Sequence, residues 1–351
     1  FYKGKKVFIT GHTGFKGTWL SLWLNMLGAE VTGYALEPPT NPAMFDICHV
    51  ERHMKSIIGD IRDRTTLTGS IGRAEPEIVI HLAAQPIVRL SYEKPVDTYE
   101  TNVMGTVNLL DAIRFCPSVK AVVVVTSDKC YENCESSLGY RETDRLGGYD
   151  PYSSSKACQE LVSSAFCSSF FNPADYNKHG VAIATARAGN VIGGGDFAQD
   201  RLVPDIIRSI FNNEELTIRN PHAIRPWQHV MEPLYGYLTL AEKLYTDGTA
   251  FSGAWNFGPD IGNIQPVYQL VNRLFELWGK EEQYKLNNEG NPHETSCLKL
   301  DSSKAHQLLN YAPKYNIEKA IELVVAWNKA LLSGKDMGSL TLDQISVFEK
   351  Y

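Results

Sequence analysis

A phenol and an ammonium stand four positions apart at Tyr152 and Lys156, in the run Tyr152-Ser-Ser-Ser-Lys156. Residues i and i+4 of a helix share one face. A free phenol titrates near ~10, too high for a base at neutral pH, and a neighbouring cation favours the phenolate. The pair is therefore a candidate proton acceptor with its own electrostatic support. The same spacing occurs in many helices, so its position carries the weight. Tyr152 follows Ser127 by 25 residues, and Ser127 closes a predicted strand. Open α/β sheets hold their ligands at such strand ends. Ser127 can hydrogen-bond a substrate hydroxyl or the carbonyl formed from it. Asp128 and Lys129 come next. They read either as an acid for a leaving hydroxyl and an aid to deprotonating a carbon acid, or as a salt-bridged loop. Glu132, Glu135 and Glu142 are further carboxylates nearby, in what also reads as a solvated loop.

A second constellation opens the chain. Gly11-His12-Thr13-Gly14-Phe15-Lys16-Gly17 follows the apolar run Val7-Phe8-Ile9 and leads into the apolar-periodic stretch Thr18 to Leu27. Strand, glycine turn and helix in this order suit a pyrophosphate. Glycine lets the backbone approach phosphate oxygens, and the helix start offers free N–H groups and a positive dipole end. The context is that of a dinucleotide site. Lys16 adds phosphate attraction or is a solvated surface lysine; His12 reads as decoration of the turn. The carboxylate that usually reads the adenosine ribose is missing. Ala35 stands where an aspartate is common, and Glu37 is the available substitute. With no arginine adjacent, the balance tilts to NAD over NADP. Asp60-Ile61 can read and cover the adenine, unless Asp60 is the N-cap of the next helix.

The elements that must position these groups alternate strand with helix. Predicted strands are Lys6–Thr10, Glu30–Tyr34, Lys55–Ile58, Ile78–Leu82, Ala121–Thr126 and Val181–Ala186, all nearly continuous apolar runs. Such runs fit a parallel sheet buried on both faces. Predicted helices are Thr18–Leu27, Arg64–Ala74, Val96–Phe115 and Tyr152–Phe171. The expected fold class is α/β, a Rossmann-type doubly wound parallel sheet with a smaller mixed α/β substrate-binding domain. The dinucleotide-binding domain is expected over residues 1–187, with segments near 226–250 returning to it, and the substrate domain over 188–351. In the second part, prolines at 204, 221, 226 and 233 break the alternation. Strands Leu216–Arg219, Trp227–Val230, Trp255–Phe257 and Leu298–Leu300 are expected there, with helices Pro233–Tyr245, Gln265–Leu277, Ser302–Leu309 and Ile317–Leu332.

Composition narrows the classes. The 351 residues are 43% hydrophobic and carry a net charge of -6 without a block of like charge, which disfavours a nucleic-acid footprint. Seven cysteines are scattered without metal-ligand spacing, so no metal is expected and a reducing cytoplasm is. No run of about 18 apolar residues suggests a membrane span, and the first residues lack the apolar core of a signal peptide.

Taken together, these motifs resemble the extended short-chain dehydrogenase/reductase family. Beside the glycine turn, Asp60-Ile61, Ser127 and Tyr152/Lys156, the resemblance rests on His81-Leu-Ala-Ala-Gln85, Thr101-Asn102-Val-Met-Gly-Thr106, Arg187-Ala-Gly-Asn190 and Leu300-Asp-Ser-Ser-Lys-Ala305. Ser127-Asp128-Lys129 is similar to the nucleotide-sugar 4,6-dehydratases, although most of these carry glutamate where Lys129 stands. That lysine, the Gly11–Gly17 turn and Arg225-Pro-Trp-Gln-His-Val230 are most similar to the dehydratases that act on CDP-glucose.

The resemblance implies NAD held by Gly11, Thr13, Gly14, Phe15, Lys16, Gly17, Asp60, Ile61, Leu82, Ala83, Ala84, Gln85, Asn102, Tyr152 and Lys156. It implies Ser127, Asp128, Lys129, Tyr152 and Lys156 as catalytic residues, with Lys129 or a nearby carboxylate removing the proton at position 5. Asn190, Arg201 and Arg225 are implied for the nucleotide diphosphate, and Trp227 packs the base or the core. A homodimer or higher homo-oligomer is implied, built on the Val96–Phe115 and Tyr152 helices. A nucleotide-sugar 4-epimerase would share Ser127, Tyr152 and Lys156 without needing Asp128; a dinucleotide sensor would turn nothing over.

Overall fold

The structure is a computed structural model that describes residues 1–135, 138–218, 220–260, 264–281, 284–286 and 298–351. Its centre is a seven-stranded sheet. In chain order the first six strands are β1 (Lys6–Thr10), β2 (Glu30–Ala35), β3 (Lys55–Ile58), β4 (Ile78–His81), β5 (Ala121–Val125) and β6 (Ala182–Arg187). The spatial order is Gly253–Asn256, β6, β5, β4, β1, β2, β3. Every pairing is parallel. The fold class expected from the sequence is the one observed. Strand β1 lies between β2 and β4, where the direction of winding reverses. A crevice opens at such a point beyond the strand ends, and the glycine turn follows β1 directly.

The apolar runs behave as predicted in the middle of the sheet. All five residues of β5, Ala-Val-Val-Val-Val, are buried. Strand β3 differs: it is an edge strand whose two end residues are exposed. Helix α1 (Phe15–Met26) begins three residues before the expected Thr18 and buries Trp19, Leu20 and Trp23 against the sheet. Lys16 and Gly17 therefore belong to its first turn. The long helix expected at Val96–Phe115 is divided into Pro95–Tyr99, a π turn Glu100–Met104 and Gly105–Ile113. Wider turns of this kind often mark functional positions. Here the π turn carries Asn102, which is fully buried.

The second half has its own apolar core, in which Ile206, Ile210, Leu270, Leu274, Ile321 and Val324 are buried together. Three two-stranded sheets surround it. They pair Gln228–His229 with Val191–Ile192, Gln265–Pro266 with Ile224–Arg225, and Tyr284–Leu286 with Leu216–Ile218. The fourth residue of the expected strand Leu216–Arg219, Arg219, lies outside the described residues. Of the expected strand Leu298–Leu300 only a bridge from Leu300 to Tyr140 is present.

Besides short helical turns, two longer helices among the described residues were not anticipated, Leu202–Asn212 and Met337–Lys350. Pro204 was read as a breaker, but it stands in the first turn, where proline has no helical donor to lose. Met337–Lys350 lies against α1, and Trp23 Nε1 donates to Glu349 Oε1 at 2.6 Å. Helix Met231–Asp247 packs on β5 and β6, and Gly253–Asn256 extends the central sheet. No described helix is long and apolar enough to cross a membrane.

One buried network fixes the helix Pro151–Phe170 to the sheet. Arg187, at the end of β6, donates through Nε and Nη2 to the two oxygens of Glu160 at 2.9 and 2.8 Å. Thr126 and Thr185 donate to the same carboxylate at 2.5 and 2.6 Å. Arg187 Nη1 donates to the Tyr131 hydroxyl at 2.7 Å, which donates to Asn256 Oδ1 at 2.8 Å. Removing one partner of such a pair strands the other charge. Glu160→Ala is expected to lower the unfolding free energy by about 3–5 kcal/mol, read by urea denaturation. A loss below about 1 kcal/mol would show the pair to be dispensable.

Candidate active site

A cavity of about 2090 Å³ runs from the glycine turn past the ends of β4 and β5 into the second half of the chain. Gly11, Thr13, Gly14, Phe15, Lys16 and Gly17 line one end. Gly11 has φ +80°, and a Cβ there would meet Ala83 N at 2.7 Å. A Cβ on Gly17 would lie 2.1 Å from the Gly11 carbonyl oxygen. Both glycines are thus required for the turn to close between strand and helix. Gly14 is the N-cap and no side chain caps α1, so the first-turn N–H groups face the cavity uncapped. That is the donor arrangement a pyrophosphate takes.

Asp60 and Ile61 flank this end, and Leu82, Ala83, Ala84 and Gln85 form a further part of the wall. Asp60 is not a helix cap: Asp63 accepts from Thr66 N at the start of Arg64–Ala74. The Asp60 carboxylate instead accepts from Arg62 Nε and Nη2 at 2.9 and 2.6 Å, and these bonds hold its pKa below the ordinary carboxylate value. Glu37 is exposed on the rim.

One member of the expected dinucleotide set sits elsewhere. Asn102 is behind the wall, with its amide fully engaged. It accepts from Gln85 N at 2.8 Å and donates to Gln85 O at 3.1 Å and to Ser155 Oγ at 2.8 Å. It shapes the Gln85 segment and ties it to the Tyr152 helix. His12 does more than decorate the turn. It is buried over Gly33, where a Cβ would lie 2.3 Å from its ring, and bonds to Ser56 Oγ at 2.7 Å. Burial pushes its pKa down to about 4.

At the middle of the cavity the predicted reactive groups come together. Ser127, Asp128, Lys129, Tyr152 and Lys156 all line it. Ser127 Oγ donates to Asp128 Oδ1 at 3.0 Å and accepts from Lys129 N at 3.2 Å, and it lies near enough to the Tyr152 phenol to act on its titration. Asp128 is 2% exposed, and its Oδ2 has no hydrogen-bond partner among the described residues. It fits only because residue 189 is glycine: a Cβ there would lie 1.9 Å from Oδ2.

The electrostatics differ from the expectation that a lysine ammonium favours the phenolate. Burial raises the Tyr152 pKa to about 12, with Asp128 and Asp150 adding to the rise; the Ser127 hydroxyl and Arg201 oppose it. Burial lowers the Lys156 pKa to about 7, and the Lys16 charge lowers it further, against Glu160 and Cys130. Both groups therefore lean toward their neutral forms without a ligand. Lys16 is neither a solvated lysine nor confined to the phosphate end. Its Nζ lies 5.8 Å from the centre of the Tyr237 ring, its charge acts on Asp128, Asp196, Arg201 and Lys156, and burial lowers its pKa to about 8.

The neighbouring carboxylates separate. Glu132 lines the cavity and pairs with Arg145 at 2.9 Å. Glu142 lies off the cavity and accepts from Asn256 N at 2.9 Å, and Glu135 is exposed. Lys129 makes no ion pair among the described residues.

Asn190, Arg201 and Arg225 all reach the cavity. Arg201 pairs with Asp196 at 3.0 Å and acts on Tyr152, so its charge serves the reactive end as well as the far one. Trp227 belongs to the second core and also lines the cavity. Sequence reasoning passed over Asp196 and Gln159. Asp196 follows the glycine run Gly193–Gly195 and faces the cavity, and Gln159 accepts from Lys156 Nζ at 2.7 Å, three residues along the same helix.

Comparison with known proteins agrees with this geometry. A CDP-glucose 4,6-dehydratase of Salmonella typhimurium is 56% identical over 337 residues, covering 96% of this chain and 94% of that one. The crystal structure of a dTDP-glucose 4,6-dehydratase from Bacillus anthracis in complex with NAD superposes with a TM-score of 0.77 at 19% identity, covering 93% of this chain and 97% of that one. A UDP-glucose 4-epimerase from Thermotoga maritima with UDP-glucose gives 0.78 at 23% identity, covering 93% and 99%. The family model described as GDP-mannose 4,6 dehydratase matches residues 8–324, and the chain belongs to that family.

Proposed function

We propose that the chain is a hydro-lyase that converts CDP-D-glucose to CDP-4-dehydro-6-deoxy-D-glucose and water, with NAD as cofactor. The observation that carries this is Asp128, a buried carboxylate with one oxygen unpartnered among the described residues, in the cavity that Ser127 and Tyr152 also line. An epimerase has no use for an acid there, and a sensor has no use for any of the three. The 56% identity to the Salmonella typhimurium enzyme supports CDP-glucose as the substrate.

NAD fits the uncapped start of α1, the Gly11–Gly17 turn, Asp60-Ile61 and the Leu82–Gln85 segment, and an acidic Glu37 on the rim disfavours the extra phosphate of NADP. When bound, NAD supplies the acceptor and donor of the hydride that the redox halves of the reaction need.

The chain's own residues move the protons. Tyr152 takes the proton of the sugar 4-hydroxyl, with Ser127 bonding the same oxygen and Lys156 steadying the phenolate as it forms. The resulting 4-ketone acidifies position 5. Lys129 or Glu132 removes that proton, and Asp128 gives its own proton to the departing 6-hydroxyl, which leaves as water; a proton then returns to position 5 as position 6 takes back the hydride, which gives the 4-keto-6-deoxy sugar. Arg225, Arg201 and Asn190 hold the diphosphate and ribose, since a guanidinium fork suits phosphate oxygens.

The enzyme is read as cytoplasmic and as part of deoxysugar synthesis for lipopolysaccharide or O-antigen; the free cysteines among the described residues support the first point. A homodimer built on the Pro95–Ile113 segment and the Tyr152 helix is supported by apolar residues on their outer faces, Val96 being 67% and Leu161 58% exposed.

Incubation with CDP-, dTDP-, GDP- and UDP-hexoses, read by mass and sugar-carbon NMR, is expected to give a 4-keto-6-deoxy product from CDP-glucose. A diastereomer of unchanged mass would make the chain an epimerase. Tyr152→Phe is expected to lower turnover by about 10²–10⁴-fold with an unchanged circular dichroism spectrum; near-normal turnover removes the phenol from its role. Asp128→Asn is expected to slow elimination more than oxidation, so that quenched reactions accumulate a 4-ketone that keeps its 6-hydroxyl. Slower oxidation without that ketone would exclude Asp128 as the acid.

A further inference from the structure

A chain of buried, uncharged groups runs from the residue before the glycine turn to the amine of Lys156. Thr106 Oγ1 donates to the Asn102 carbonyl at 2.7 Å. A hydroxyl has one hydrogen, so Thr106 can only accept from its other two partners. One is Gln159 Nε2 at 2.6 Å and the other His81 Nε2 at 3.0 Å. His81 therefore carries its proton on Nε2. Its Nδ1, 2.6 Å from Thr10 Oγ1, accepts the Thr10 hydrogen. Thr10 Oγ1 in turn accepts from Leu82 N and Ala83 N, both at 3.2 Å. Every hydrogen in the chain has one place. The Gln159 amide is thereby oriented with Oε1 toward Lys156, whose Nζ donates to it at 2.7 Å and to Val125 O at 3.4 Å. Thr10, His81, Thr106 and Gln159 are all buried to 1% exposure or less. A proton cannot pass along this chain without reversing each bond against the Asn102 carbonyl and the Leu82 and Ala83 amides. It is a brace rather than a relay.

We propose that Gln159 is the positioning residue of the reaction centre, holding Lys156 Nζ in place through an amide locked by Thr106, His81 and Thr10. The proposal rests on the dehydratase reading for its kinetic consequence and on the geometry alone for its structural one. An acceptor on Nζ supports the ammonium without settling it, because the acceptor is neutral. The charged and titratable groups that act on Lys156 are Lys16 from α1, His81 from β4, Cys130 from the segment after β5, and Glu160 from its own helix, where Tyr152 stands one turn earlier. Burial keeps His81 neutral, its pKa falling to about 3, so it adds no charge of its own.

Two variants separate bracing from mere packing. Gln159→Glu places a carboxylate against Nζ, favours the ammonium and so the phenolate. It is expected to shift the acidic limb of the kcat/KM profile for CDP-glucose to lower pH by about one unit or more. Gln159→Met removes the acceptor, disfavours the ammonium, and is expected to shift the limb to higher pH. Opposite shifts show that the side chain at position 159 bears directly on Nζ; a packing defect lowers the rate without them. The same two variants in protein labelled with ¹⁵N at lysine Nζ, without substrate or NAD, are expected to move the Lys156 titration up and down respectively, its signal identified by loss in Lys156→Met. This second readout stands even if CDP-glucose is not the substrate. Shifts of the same sign, or none in the lysine titration, would overturn the proposal; thermal melts confirm that each variant is folded.

Discussion

Glu160 and Arg187 have side chains only 4% and 3% exposed, and either charge alone at that depth would cost several kcal/mol. Their pairing is therefore obligatory, and it dictates geometry. The carboxylate comes from the third turn of the Tyr152 helix and the guanidinium from the end of β6. The two remaining acceptor directions are filled by Thr126 and Thr185, one residue past β5 and inside β6. A helix bonded so to two adjacent strands has no freedom to slide. Lys156 is one turn before Glu160 and Tyr152 two turns before, while Ser127 follows Thr126 directly. The ion pair thus sets the phenol against the serine at the strand end, and the chemistry inherits that placement.

Burial then acts on the placed groups in opposite senses. It disfavours charge of either sign, so it raises the phenol and lowers the amine. The simple picture of a preformed ammonium beside a ready phenolate does not describe the ligand-free centre. A neutral phenol next to an amine near its midpoint is closer. Such a centre responds to modest changes in local charge through the amine, whose proton is near balance at neutral pH, while the phenol keeps its own until a ligand changes its surroundings.

The parts of this arrangement that could be read from sequence are those with a periodic or chemical signature. The strands were legible because a parallel sheet covered on both faces needs uninterrupted apolar runs, as in β5. The strand β3 was expected as one more such run and fits that rule poorly, its two end residues being exposed at the sheet edge. Tyr152, Lys156 and the glycines were legible because their chemistry needs particular residue types at fixed spacing. Lys16 was not, since direction along a helix's first turn depends on where the helix starts, and α1 starts three residues early. Asn102 was implied for the ligand by the resemblance, yet an amide beside a site can face either way, and here it lies in a π turn and is buried against Gln85 and Ser155. His12 and Gln159 escaped for the same reason. Their partners, Ser56 and Thr106, are distant in sequence, so only the fold reveals that the side chains are already engaged.

The environment of Lys156 explains why a neutral amide suits its neighbour. Lys16, Lys129, Lys156 and Arg201 line the same cavity, and Asp128 and Asp196 are the acids set among them. A carboxylate at position 159 would relieve that crowding but would also hold Lys156 as an ammonium throughout. An apolar residue would leave the amine both unsupported and free to turn away. The amide does neither. Direction comes from the uncharged chain that ends at Thr10, while charge is set separately by burial, Lys16, Glu160 and Cys130. A group that has to support a phenolate while it exists, and release it when the proton returns, works best when where it points does not depend on whether it is charged.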